Sequence, residues 1–326
     1  MLRFVHPVHL SLIAVLLGAA PDSSADEEAL PAFDRLWNYS DPAATETAFR
    51  EILPRAEKSD ELSYRVELLT QIARAEGLQG KSEAAHATLD QAERLLPPEG
   101  MARARLRYFL ERGRAHNGIP GATDPEVDAR KSKARPYFIQ AWELAGTAKE
   151  DALALDAAHM MGIIEPPARA LEWSERALDL AEKTADPRAR GWLGPLYNNI
   201  GWAHHDAGDY DKALALFRKG VDFHAERGPS RQLRIAKWTV ARTLRSLGRL
   251  DEALGAQESL LDEWKSAGED SPYVIEELGE CLHALGRVDE ARPHFREAHE
   301  LLSKDEWLSE NEPERIERLK KMGDGG

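Results

Sequence analysis

Apolar side chains recur at Leu62, Val66, Leu69 and Ile72, the spacing of one face of a helix. Similar periodicity predicts helices over residues 104–116, 133–145, 152–162 and 168–183. Residues 33–58 are expected to form a degenerate first helix pair. At the other end, residues 312–322 predict an amphipathic helix with Ile316 and Leu319 on its apolar side. Asn311 is expected to cap that helix, with Glu314 reaching back in a capping box.

The turns between helices repeat as well. Gly80, Gly208, Gly248 and Gly286 are each followed five residues later by an alanine: Ala85, Ala213, Ala253 and Ala291. Seven residues before each glycine stands a small residue, Ala73, Gly201, Ala241 or Gly279. Nine residues after it comes Leu89, Phe217, Gln257 or Phe295. The glycine ends one helix by taking a left-handed backbone conformation. The small residues let two antiparallel helices approach, and the larger ones fill the space between neighbours.

This pattern resembles the tetratricopeptide repeat, above all over Leu196–Phe217, where Ile200, Gly201, Tyr210, Ala213 and Phe217 stand at the signature spacings. Pro97 stands where the family often ends a second helix. Three repeats, starting near 66, 194 and 272, carry the resemblance by themselves. First-helix small residues at 73, 113, 158, 201, 241 and 279 lie 38 to 45 residues apart, longer than the common period of about 34. The resemblance implies an all-α fold: a right-handed α-solenoid of six or seven antiparallel helix pairs, a superhelix over 33–305 closed by a capping helix in 306–326.

The repeat also disposes of a decoy. Ala75, then Gly80-Lys81-Ser82, fits a relaxed phosphate-binding loop. Such a loop needs a preceding strand, and the residues before it have helical spacing. Gly80-Lys81 is therefore read as an interhelical turn, and no cofactor is expected.

Composition narrows the partners. The 326 residues carry a formal charge of −14, with 42% hydrophobic and 31% charged residues. That suits a folded chain and disfavours nucleic acid, whose phosphates demand clustered Lys and Arg. Residues 1–25 have an early Arg3, an apolar run from Leu10 to Leu17 and small residues at Ser23-Ser24-Ala25. This is the layout of a secretory signal peptide, cleaved before Asp26 and followed by a linker over 26–32. A retained signal anchor or a misassigned start is the alternative. Cleavage implies a secreted or periplasmic protein without stable membrane insertion. Cys281 is the single cysteine, so no intramolecular disulfide forms and a buried, inert thiol is expected.

Candidate chemistry follows from the resemblance, which places ligands on the face lined by the first helix of each pair. The groove positions are then Asn198, Trp202 and His205; Trp238, Arg242 and Arg245; and Glu276, Glu280 and His283. Earlier pairs supply Arg74, Arg114, Asn117 and His159. Two indoles, a pair of arginines and an asparagine suit a protein or peptide partner bearing an acidic group. The competing reading makes Arg242 and Arg245 braces against Glu276 and Glu280, with Trp202 and Trp238 in the core. A hydrolase using groove histidines and carboxylates, and a spacer without ligand, remain open. His204-His205-Asp206 and His294/His299 point to different helix faces, so no metal site is expected.

Overall fold

The computed structural model describes residues 30–118 and 126–325. The expected signal peptide, residues 1–25, lies outside them, as do residues 119–125. Among the described residues the structure is helical and without strands. The chain divides into two compact units, residues 1–190 and 191–326.

The first unit opens with a 3-10 turn, Phe33–Leu36. Then follow α1 (Pro42–Lys58), α2 (Leu62–Leu78), α3 (Ser82–Leu95), α4 (Ala102–Asn117), α5 (Val127–Ala148), α6 (Asp151–Ile164), α7 (Pro167–Lys183) and the single turn α8 (Pro187–Arg190). The second unit holds α9 (Leu193–Asp206), α10 (Tyr210–Ala225), α11 (Arg231–Ser246), α12 (Leu250–Ser266), α13 (Pro272–Ala284), α14 (Val288–Leu302), α15 (Glu306–Asn311) and α16 (Pro313–Asp324). Within each unit successive helices pack on one another, and α16 returns onto α14. Each unit is thus a stack of antiparallel helix pairs, an α-solenoid.

The turn chemistry explains why the helices stop where they do. Gly80, Gly208, Gly248 and Gly286 have φ of +75°, +83°, +74° and +77°. After each, the next residue's N–H reaches back five residues: Lys81 to the Glu76 carbonyl, Asp209 to His204, Arg249 to Leu244 and Arg287 to Leu282, at 2.9–3.0 Å. That is the Schellman closure, which satisfies helix-end carbonyls and needs a left-handed residue. The decoy Gly80-Lys81 is one of these four turns.

Packing inside a pair is set by complementary size. Gly113, Gly201 and Gly279 each face a phenylalanine of the partner helix, Phe138, Phe217 and Phe295 respectively. All three rings are almost completely buried. The pair α2/α3 carries Ala73 and Leu89 at these positions, and α11/α12 carries Ala241 and Gln257; all four are buried.

Two expectations are corrected. Residues 33–58 make one helix and a short turn, not a pair, because Asp41 caps a new helix at Pro42 by accepting from the Ala44 N–H. Asn311 does not cap the last helix: it ends α15, its amide donating to the Trp307 carbonyl. Glu312 occupies the cap position without a side-chain capping bond, its carboxylate accepting from Arg315 instead, and Pro313 starts α16, where a missing N–H costs nothing. Leu319 is fully buried and Ile316 packs on the same core, so the helix covers the end of the second unit.

Candidate functional site

In the second unit the predicted groove residues fall on α9, α11 and α13. Trp202 and Trp238 stand with ring centroids 6.0 Å apart, and Trp238 meets Tyr273 at 6.4 Å. Both indoles are half-buried, and Tyr273 is 40% exposed. Trp202 also packs edge-on to the core ring of Phe217. Trp238 is fixed by its indole N–H, which donates to the Tyr273 carbonyl at 3.2 Å. The result is an aromatic row crossing three first helices. Asn198, one turn before Trp202, gives its amide to Asn199 Oδ1.

Beside this row lies a charged cluster. Arg245 grips Glu277 with two hydrogen bonds, Nε to Oε2 at 2.7 Å and Nη2 to Oε1 at 2.9 Å. Arg242 Nε reaches the same carboxylate at 2.9 Å, and its Nη1 donates to Ser246 Oγ at 2.8 Å. Burial works against the Arg245 charge, but Glu277 outweighs it and holds the pKa above the usual arginine value. The arginines therefore do brace α11 against α13, but through Glu277 rather than Glu276 or Glu280. The last two belong to the capping helix: Arg315 forks onto Glu276 at 3.0 and 2.5 Å, and Arg318 pairs with Glu280. Arg315 also lies over the Tyr273 ring, 5.5 Å from its centroid.

Glu277 was missed because the groove register was counted from Glu276. Tyr273, Glu277 and Glu280 nevertheless follow i, i+4, i+7 spacing on one helix face. The role of α16 had a weaker signal, Arg315 and Arg318 three residues apart on a helix assigned only to capping.

His205 bears on the hydrolase alternative. Its Nε2 lies 2.9 Å from Ser246 Oγ, and burial, then the charge of Arg242, depress its pKa. Its Nδ1 stands 3.7 Å from Asp206 Oδ1, beyond hydrogen-bond reach. A serine nucleophile needs both a base and a group orienting it. His283 is exposed, its ring against Phe295, outside the contacts of this cluster.

The first unit carries a similar cluster on α2, α4 and α6. Arg74 and Arg114 both reach Glu111, at 3.3 and 2.6 Å, and Arg114 also binds Asp156. The two arginines outweigh burial and hold Asp156 below the usual carboxylate range. Arg74 lies over the rings of Trp37 and Tyr39. His159, one turn beyond Asp156, has a depressed pKa, chiefly through burial. Asn117 is buried, its carbonyl accepting from Arg130 Nε. Among the described residues no group of three or more His, Cys, Asp or Glu converges to hold a metal ion.

Residues 151–226 and 232–304 match the family model of the tetratricopeptide repeat. None of the curated proteins matches the sequence significantly. Among solved structures, apo RapI is similar over 88% of this chain and 82% of its own, at 11% identity and a TM-score of 0.67. A signal-transduction ATPase from Pyrococcus horikoshii with a tetratricopeptide repeat sensor is 15% identical, with a TM-score of 0.56. That match covers 82% of this chain but only 39% of the ATPase. Aspartyl phosphate phosphatase F from Bacillus subtilis is 13% identical over 93% of this chain and 81% of its own, with a TM-score of 0.50. At these identities the likenesses establish the fold. Residues 151–226 and 232–304 are thus tetratricopeptide repeats, and the chain as a whole shares the helix-pair fold of these structures.

Proposed function

We propose that this protein is an exported, non-catalytic scaffold that binds a segment of a protein or peptide across α9, α11 and α13. The aromatic row of Trp202, Trp238 and Tyr273 takes apolar side chains of the partner. Arg242 and Arg245 take an acidic group beside them, with His205 and Asn198 flanking. One observation carries this reading: two guanidiniums share the single carboxylate of Glu277, while Glu276 and Glu280 are answered by Arg315 and Arg318. The group of Arg242, Arg245 and Glu277 by itself thus carries one net positive charge beside partly exposed aromatic surface, in a chain of net charge −14, while Arg315 is shared by Glu276 and Glu312. Arginine and tryptophan are the residue types that dominate binding hot spots. Export rests on the sequence of residues 1–25. No helix among the described residues is long and apolar enough to cross a membrane.

The test starts from a partner captured by the mature chain from its native compartment, followed by affinity and melting measurements on variants. Trp238→Ala is expected to weaken binding by a factor of about thirty, as for a typical anchor. Arg242→Ala with Arg245→Ala is expected to lower both affinity and melting temperature. A loss of melting temperature with unchanged affinity in both variants would leave bracing as the only role of these residues.

A further inference from the structure

A cleft of about 780 Å³ opens in the first unit between α5, α6 and α7, within the roughly 300–1,000 Å³ typical of ligand clefts. It is lined by different residues from the α2/α4/α6 ion-pair cluster. Trp142 of α5 and Leu180 of α7 supply apolar lining, and Glu143, Glu172, Glu175 and Asp179 line it from both helices. On α7 these acids fall at i, i+3 and i+7, one face of the helix.

The state of these carboxylates differs from that of acids elsewhere in the unit. Glu67, Glu111, Asp156 and Glu165 are each held by arginine. In the cleft, Lys183 pairs with Asp179 at 2.5 Å, while among the described residues no ion pair or hydrogen bond engages Glu143, Glu172 or Glu175. Arg176 is turned onto the Trp173 ring, 4.8 Å from its centroid, and Trp173 in turn meets Trp142 edge-on at 5.6 Å. Five carboxylates, with Asp151 the fifth, therefore line the cleft against two cations, Lys183 and Arg176, the latter stacked on an indole, so the lining is negative in net.

We propose that this cleft is a second docking surface, for a basic segment of a partner protein whose lysine or arginine side chains meet Glu143, Glu172 and Glu175. An apolar residue of the segment lies on Trp142. The net negative charge of the lining disfavours a phosphate backbone. The acids on α7 spread over about 10 Å of helix, at roughly 1.5 Å per residue. No three carboxylates of the cleft come together as a metal site. Such spacing answers several separate cations on one chain and not a single ion. This site is independent of the aromatic row in the second unit, so either assignment stands or falls without the other.

The experiment is calorimetric titration of the full chain with a blocked synthetic dodecapeptide of lysine, leucine and alanine, at low and at physiological salt. Binding is expected at low salt and is expected to weaken as salt screens the charges. The variant Glu143→Gln/Glu172→Gln/Glu175→Gln is expected to bind about tenfold more weakly, as when several complementary charges leave an interface. A control, Glu226→Gln/Glu258→Gln/Glu297→Gln, removes the same charge from exposed positions in the second unit and is expected to bind like the parent. Melting curves confirm that each variant is folded. The proposal is overturned if the parent does not bind the lysine peptide. It is equally overturned if the two triple variants bind alike, or if a glutamate-for-lysine peptide binds as well.

Discussion

Gly201 lies against the ring of Phe217 so closely that a Cβ at residue 201 would stand 2.4 Å from Phe217 Cε1. Glycine in a helix interior normally costs about 1 kcal/mol relative to alanine. Here the ring occupies the space of the missing methyl, and the ring is itself 2% exposed, with little room to retreat. Gly201→Ala is expected to destabilise the protein by about 1–3 kcal/mol, the range for overpacking a core. Adding Phe217→Leu, which recreates the Ala73/Leu89 combination of α2/α3, is expected to recover part of the loss. Urea denaturation of the single and double variants measures both.

Gln257 sits where Leu89, Phe217 and Phe295 sit in other pairs. It is fully buried, and neither amide atom has a hydrogen-bond partner. A buried amide left unpaired costs on the order of 1–3 kcal/mol. Gln257→Leu keeps a similar volume and removes the polar atoms, so a stability gain of about 1 kcal/mol is expected by the same measurement. A loss would mean that the amide is satisfied in solution.

Lys81, the lysine of the apparent phosphate loop, bonds Glu46 at 2.9 Å, and Glu46 is also held by Arg50 and Gln79. Burial raises the Glu46 pKa, but these partners outweigh it and bring it from 4.5 down to about 2. A depressed carboxylate pKa means that the unfolded chain binds the proton more readily. The stability from Glu46 is therefore present above pH 4.5 and lost as pH falls towards 2. The stability gap between parent and Glu46→Gln is expected to close over that window in acid titrations followed by circular dichroism. Lys81→Ala is expected to show no change in nucleotide binding by calorimetry.

Burial, then the nearby Glu277, push the thiol of Cys281 up to about 12, and its side chain is buried in the core of the second unit. Thiolate is the reactive form. Native protein is expected to react with Ellman's reagent far more slowly than unfolded protein, at a rate that follows unfolding as denaturant is added. Fast labelling of the native chain would contradict the packing around α13.

The helix pairs were legible in the sequence because glycine turns and small-to-large spacings are local signals. Gly208, Ala213 and Phe217 suffice to place α9 and α10. The charged partners were less legible, because an ion pair between helices some thirty residues apart depends on helix rotation. A rotation of one residue, about 100°, exchanges Glu276 for Glu277, and that exchange separates the predicted brace from the observed one. The start of α16 was misread for a different reason. Asn311 has the chemistry of a cap, but α15 claims it first, and Pro313 fixes the next start.

The family match ends at residue 304, but the folding unit does not. Arg315 and Arg318 reach Glu276 and Glu280, Leu319 is fully buried, and Gly323 touches the backbone of Arg296 so closely that a Cβ there would lie 3.0 Å from its nitrogen. A fragment trimmed to the recognisable repeats would strand a largely buried glutamate without its counter-ion and strip the covering from α14. For expression work, the C-terminal boundary belongs after residue 325, and a fused tag needs a linker long enough to spare the close seat of Gly323.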